Sequence, residues 1–241
     1  MAELSIRLST SPRAQRLLIW WGVAFAVIFA LAWGFLIRLL PLPAATWPPE
    51  QVAAFYQANT IPIRIGATIC SWTGAFMVPI AMVVCVQMSK LETGWPIWSV
   101  LQLVGGALMS MFLVFPPILW GAAAFHPDRA AYATALIHDL ANLTLVTTDQ
   151  YFIFQMVPIG WLALKAGTAR NGAFPRWFGF LTIWIAIIFE AGAFAFIPRT
   201  GPFAWNGLFV FWFPLVGFGI WISVKCTLCL KAITRQERQC G

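Results

Sequence analysis

Six stretches of this chain are apolar for long enough to cross a bilayer as helices, which takes about 20 residues: 17–37, 65–87, 98–124, 143–164, 178–197 and 205–224. The first runs unbroken between Arg16 and Arg38. Its 21 residues exceed the roughly 7–15 of a signal-peptide core, so it is expected to stay as an anchor. Pro79 interrupts the second stretch, Pro116–Pro117 the third and Pro214 the sixth. Such prolines are tolerated where neighbouring helices satisfy the freed carbonyls, and they predict kinks. No polar block is long enough to fold separately. The expected architecture is an all-α, polytopic transmembrane bundle of six spans forming one domain, 1–241. The loop 41–60 carries a short interfacial helix that starts at Pro48-Pro49.

The fourth stretch breaks the pattern. Apolar sequence extends from Ala131 to Leu164, about 50 Å as one helix, so it either projects from the bilayer or breaks. Its first part carries His138-Asp139 and Asn142, then Thr147-Thr148-Asp149-Gln150. At helical spacing His138, Asn142 and Asp149 fall within about 40° of one face. Glu190 lies seven residues before the end of the fifth stretch, roughly 10 Å deep, and Asp149 is expected at a similar depth. A charge near the bilayer centre costs about 2.5–3.5 kcal/mol on insertion scales. Acids there are hidden in a polar interior, paired, or used. Arg64 begins the second span on the same side, with Arg38 and Arg199 nearby in the topology. The candidate ligand-binding set is therefore Asp149, Glu190, Arg64, Asp139, His138 and Asn142, around a pocket open to the outside. The alternative is that acid–arginine pairs and Asn142 only fix helix register.

Composition agrees with the pattern: 61% of residues are hydrophobic and 10% charged, against about 25% charged in a soluble domain. Lys and Arg are asymmetric. Arg7, Arg13, Arg16, Lys90, Lys165, Arg170, Arg176, Lys225, Lys231, Arg235 and Arg238 fall on one side, and Arg38, Arg64, Arg129 and Arg199 on the other. The positive-inside rule puts both termini in the cytoplasm of a bacterial inner membrane. The net charge of +7 follows from this topology and from anionic lipid, with no nucleic-acid partner required.

Residue types also exclude chemistry. Two histidines cannot build the His clusters of membrane desaturases, and His126 and His138 flank one turn, unsuited to a bis-His haem. Lys225 is expected at the cytoplasmic edge of the sixth span, so no mid-membrane lysine offers a Schiff base. Gly-x-Ser-x-Gly, His-Glu-x-x-His and P-loop patterns do not occur. Cys226-x-x-Cys229, even with Cys240, lacks the ligands of a zinc site. Cys70 and Cys85 read as packing residues. A mixed site of His138, Asp139, Asp149 and Glu190 is the one metal arrangement left open; neither a metal nor a cofactor is expected.

Two motifs are distinctive: Phe174-Pro175-Arg176-Trp177-Phe178-Gly179, and Thr200-Gly201-Pro202-Phe203-Ala204-Trp205-Asn206-Gly207. In these the chain resembles a group of bacterial six-span inner-membrane proteins. The resemblance implies a six-helix fold and supplies no catalytic residues. Three classes of function stay open. The first is binding or transport of a small apolar or amphiphilic molecule, lipid- or steroid-like. The second is a structural or assembly subunit of a larger membrane complex. The third is a membrane-embedded acid–base isomerase or cyclase acting on an isoprenoid-like substrate. Besides the bilayer, expected partners are the apolar ligand and a homo-oligomer or larger complex; the small residues Gly105-Gly106-Ala107 and Ser110 would serve either the fold or self-association.

Overall fold

The structure, a computed structural model, describes residues 11–166 and 172–240; Arg7 and Arg170 lie outside them. The described residues are helical, without strands. Nine α-helices follow in order: α1 Pro12–Leu31, α2 Pro49–Ala58, α3 Thr60–Thr73, α4 Met77–Ser89, α5 Ile97–Phe125, α6 Ala131–Thr147, α7 Ile153–Ala166, α8 Arg176–Phe189 and α9 Phe213–Cys240. Irregular helical turns extend or join several of them. Among the described residues, five continuous helical runs are long and apolar enough to cross a membrane: Pro12–Ile37, Thr60–Ser89, Ile97–Phe125, Arg176–Phe196 and Leu208–Arg238. The protein is a transmembrane helix bundle. Its outer faces are apolar, with Trp20, Trp21, Phe35, Trp72 and Trp184 all exposed.

The fourth segment differs from the single span 143–164. It starts at Ala131 and breaks after Thr147, where a 3-10 turn, Asp149–Phe152, joins α6 to α7. The broken rod runs back along α5. Asn142 of α6 meets Trp120 near one end of α5, and Gly105 near the other end abuts the backbone of Phe154 and Gln155 in α7. The cause of the break is local. Thr147 and Thr148 donate their hydroxyls to the carbonyls of Leu143 and Thr144, at 2.7 and 2.6 Å, and the Gln150 side-chain amide donates to the Thr147 carbonyl. Polar side chains thus take up the carbonyls that a helix end leaves free.

Proline explains two further irregularities. Pro79 faces the carbonyl of Ala75, four residues back, and Ala75 leaves helical geometry (φ −80°, ψ 17°) in the 3-10 turn Gly74–Phe76. Pro214 stands in the same relation to Val210, inside the π-helical turn Leu208–Trp212 that opens the last run. Pro116 and Pro117 leave α5 continuous.

Both ends of the bundle are pinned by side chains. At the end bearing the termini, buried Gln87 of α4 donates to Gln15 of α1 at 2.6 Å and accepts from Gln236 of α9 at 3.0 Å and from Lys90 at 3.2 Å. Arg16 adds an ion pair with Glu237 at 2.7 Å. At the far end, Trp205 donates to the Pro43 carbonyl at 2.7 Å and Arg199 to that of Ala45 at 3.0 Å. The loop 41–48 is thereby strapped to the 199–205 turn. Helix α2 forms where the prolines place it, with Val52, Ala53 and Tyr56 buried against the bundle.

The small-residue face of α5 serves the fold. A Cβ on Gly106 would stand 2.6 Å from both Ala81 Cβ and the Gln155 side-chain nitrogen, whereas Ala107 is exposed. Gly106→Leu is therefore expected to lower the thermal unfolding midpoint in detergent, by the equivalent of about 1–3 kcal/mol or more. Ala107→Leu should leave it within error.

Candidate functional site

Asp149 occupies the break between α6 and α7 and is 2% exposed. Glu190 caps the C-terminus of α8 and opens the 3-10 segment Glu190–Phe196. These two irregular segments pack on one another, and Glu190 lies within charge–charge range of Asp149. The approach requires glycine at 192: a Cβ there would run into the Val146 carbonyl oxygen and Asp149 Oδ1. Each acid has a buried oxygen, Asp149 Oδ1 and Glu190 Oε1, without a hydrogen-bond partner among the described residues. Glu190 follows a helix C-terminus, where the backbone dipoles are already negative, whereas Asp149 opens the 3-10 turn and takes backbone N–H groups of Asp149 and Gln150.

The arginines do not neutralise them. Arg64 is exposed, with its guanidinium carbon 5.0 Å from the centroid of the Phe125 ring. Arg38 donates to Asn59 Oδ1 at 3.0 Å, and Arg199 holds the Ala45 carbonyl. Among the described residues, no ion pair involves Asp139, Asp149 or Glu190. Asp139 turns away from Asp149 into a separate groove of about 550 Å³ that Arg199, Trp47 and Tyr132 also line.

Beside Asp149 lies a cavity of about 260 Å³. The rings of Phe29, Trp33, Phe112, Phe189, Phe211 and Phe218 form its wall, and Asp149 is its one charged lining group. Ala26 and Ala30 of α1 and Leu215, Gly219 and Ile222 of α9 also line it. Ala30 and Gly219 are exposed on the bundle surface, so the mouth opens sideways between α1 and α9.

His138 and Asn142 belong to a different structure, a buried chain of hydrogen bonds. Trp120 Nε1 meets Asn142 Oδ1 at 3.1 Å, Asn142 Nδ2 meets His138 Nε2 at 2.9 Å, and His138 Nδ1 meets the Tyr56 hydroxyl at 3.0 Å. An indole nitrogen only donates, so it fixes the orientation of the Asn142 amide, whose NH₂ must donate to His138. Nε2 then accepts, the ring is neutral, and Nδ1–H donates to Tyr56. Burial, with the charge of Asp139 adding, holds the Tyr56 phenol above its ordinary pKa. This network abuts the cavity through Trp33, which stacks on Trp120 at 6.0 Å and 23°. The one polar stripe expected of α6 is thus divided: His138 and Asn142 satisfy each other, and Asp149 alone faces the cavity.

Lys225 is a buried cation that span counting does not single out. It is completely buried, with Nζ 3.5 Å from the centroid of the Trp221 ring and without a hydrogen-bond partner among the described residues. Its signal was present in the one-turn spacing of Trp221 and Lys225. Tyr56, Trp120 and Gly192 were also missed, since each acts through a partner distant in sequence. Cys70, Cys85, Cys226 and Cys229 are buried free thiols; the Cys240 side chain lies outside the described residues. No group of three or more His, Cys, Asp or Glu side chains suited to a metal occurs among the described residues.

Asn142→Leu should strand the Trp120 N–H and leave His138 Nε2 without its donor, at a cost of about 1–3 kcal/mol for each orphaned group. Thermal denaturation in detergent reads this loss, and Asp139→Asn, outside the network, should shift the midpoint far less.

No family model matches the chain, and neither a curated protein nor a solved structure matches it.

Proposed function

We propose that the protein binds a small apolar or amphiphilic molecule, of lipid-like character, in the cavity beside Asp149, as a carrier or transporter. The observation that carries this reading is the cavity's make-up: a wall of aromatic rings with one buried carboxylate. That is the usual composition of a small-molecule site, apolar with few polar groups to orient the ligand. At about 260 Å³ the space suits a compact molecule or one end of a longer one. The sideways mouth would admit it from the lipid phase.

The same reading takes the broken rod α6–α7 as a sixth traverse with Asp149 at its interruption. Discontinuous helices of this kind line binding sites in membrane transporters. It puts both termini in the cytoplasm of a bacterial inner membrane. Support comes from the basic residues gathered near the terminal end, among them Arg13, Arg16, Lys90, Arg176, Lys231 and Arg235. Arg38, Arg64, Arg129 and Arg199 lie towards the other end. An assembly subunit would be better served by acids turned outward, and Asp149 is turned inward. A two-acid catalytic chamber would need Glu190 in the cavity wall, where it is not found.

The test uses 1-naphthylmethanol, whose emission reports transfer from water to an apolar site, with the purified full chain in a neutral detergent. Saturable binding is expected, and Ala30→Phe, which fills the mouth, should weaken it at least about tenfold (roughly 1.4 kcal/mol) without moving the unfolding midpoint. Binding that does not saturate, or that ignores Ala30→Phe, would overturn the proposal.

A further inference from the structure

Resting on the cavity reading above, we infer that the site selects a lipophilic cation: an amphiphile whose head is an ammonium group, seated against Asp149 with its apolar part among the rings.

Several observations converge on a positive head. Asp149 is the one charged lining group of the cavity, and its Oδ1, packed against Gly192, lacks a hydrogen-bond partner among the described residues. Glu190, with a buried orphan oxygen of its own, stands behind it within charge–charge range. Asp149 is buried and Glu190 partly so, and a second acid beside a buried carboxyl group favours a proton or a cation there. The C-terminal end of α8, which Glu190 caps, adds its negative dipole.

The protein supplies no counter-charge. Arg64, Arg38 and Arg199 are engaged elsewhere, and Lys225 lies against Trp221 and is not part of the cavity wall. The wall itself also favours a cation. Ring faces attract a desolvated ammonium group, and an aromatic cage with a carboxylate is a recurrent way to recognise one. Phe29, Trp33, Phe189, Phe211 and Phe218 line the same cavity as Asp149. An anionic head would meet the Asp149 carboxyl group with Glu190 behind it, and a neutral alcohol would gain no charge–charge attraction.

The experiment compares three probes with the same ring and different heads: 1-naphthylmethylammonium, 1-naphthylmethanol and 1-naphthoate. Each is titrated into the full chain in neutral detergent near pH 7. The ammonium probe is expected to bind at least ten times more tightly than the alcohol, and the naphthoate more weakly than either. In Asp149→Asn the ammonium preference should collapse to within about twofold while the alcohol still binds. Should that variant fail to fold, Glu190→Gln gives the same readout, with a partial loss of preference expected. The wild-type series needs no variant at all. If alcohol and ammonium bind equally, the cavity reading stands and the cation inference falls. If no probe binds saturably, both fall.

Discussion

A helix that ends inside an apolar bundle must find partners for the carbonyls it leaves behind, and the α6–α7 break is where this constraint shapes the molecule. Thr147, Thr148 and Gln150 answer it with their own side chains. Asp149 is then held at the junction, two residues after α6 ends and immediately beside the 3-10 start of α8's extension. Without the break Asp149 would be one more position on a continuous rod. With it, Asp149 meets Gly192 of the 190–196 segment and lines the cavity.

Close backbone approach makes the rest possible. Gly192 lets the 190–196 segment reach Asp149, and Gly105 and Gly106 let α5 lie directly on α7. Van der Waals contact between small residues is the main adhesive available where the surroundings are as apolar as the protein. The buried polar groups are handled in two ways. Tyr56, His138, Asn142 and Trp120 complete one another, which stiffens the wall behind Trp33. Asp149 and Glu190 are each left with an orphan oxygen, which costs stability that the neighbouring network does not give up.

Much of this was legible in the sequence because bilayer dimensions are simple. The apolar runs, the proline-started α2 and the oddity of residues 131–164 all follow from length and residue type. So do the irregular turns near Pro79 and Pro214, since a missing N–H acts four residues back. The division of the His138–Asn142–Asp149 stripe did not follow. Helical periodicity assumes a continuous helix, and the break rotates Asp149 out of register with the other two. Arg64 was assigned to the acids by depth alone, and depth says nothing of azimuth around the bundle; its neighbour is Phe125. Lys225 was placed by a rule for loop charges, which does not foresee a long side chain folding back onto its own helix's tryptophan.

The glutamine cluster at the terminal end has a mechanical consequence. Gln87 draws Gln15 and Gln236 together, and Arg16 with Glu237 fastens the same two helices. Ala30 and Gly219 lie on those helices at the cavity mouth, about 22 Å from Gln15 along α1. Helices α1 and α9 are thus two blades riveted at one end. A small angular splay at the rivet becomes a displacement at the mouth that grows with distance along the blade, so the aperture can widen while the joint itself stays closed.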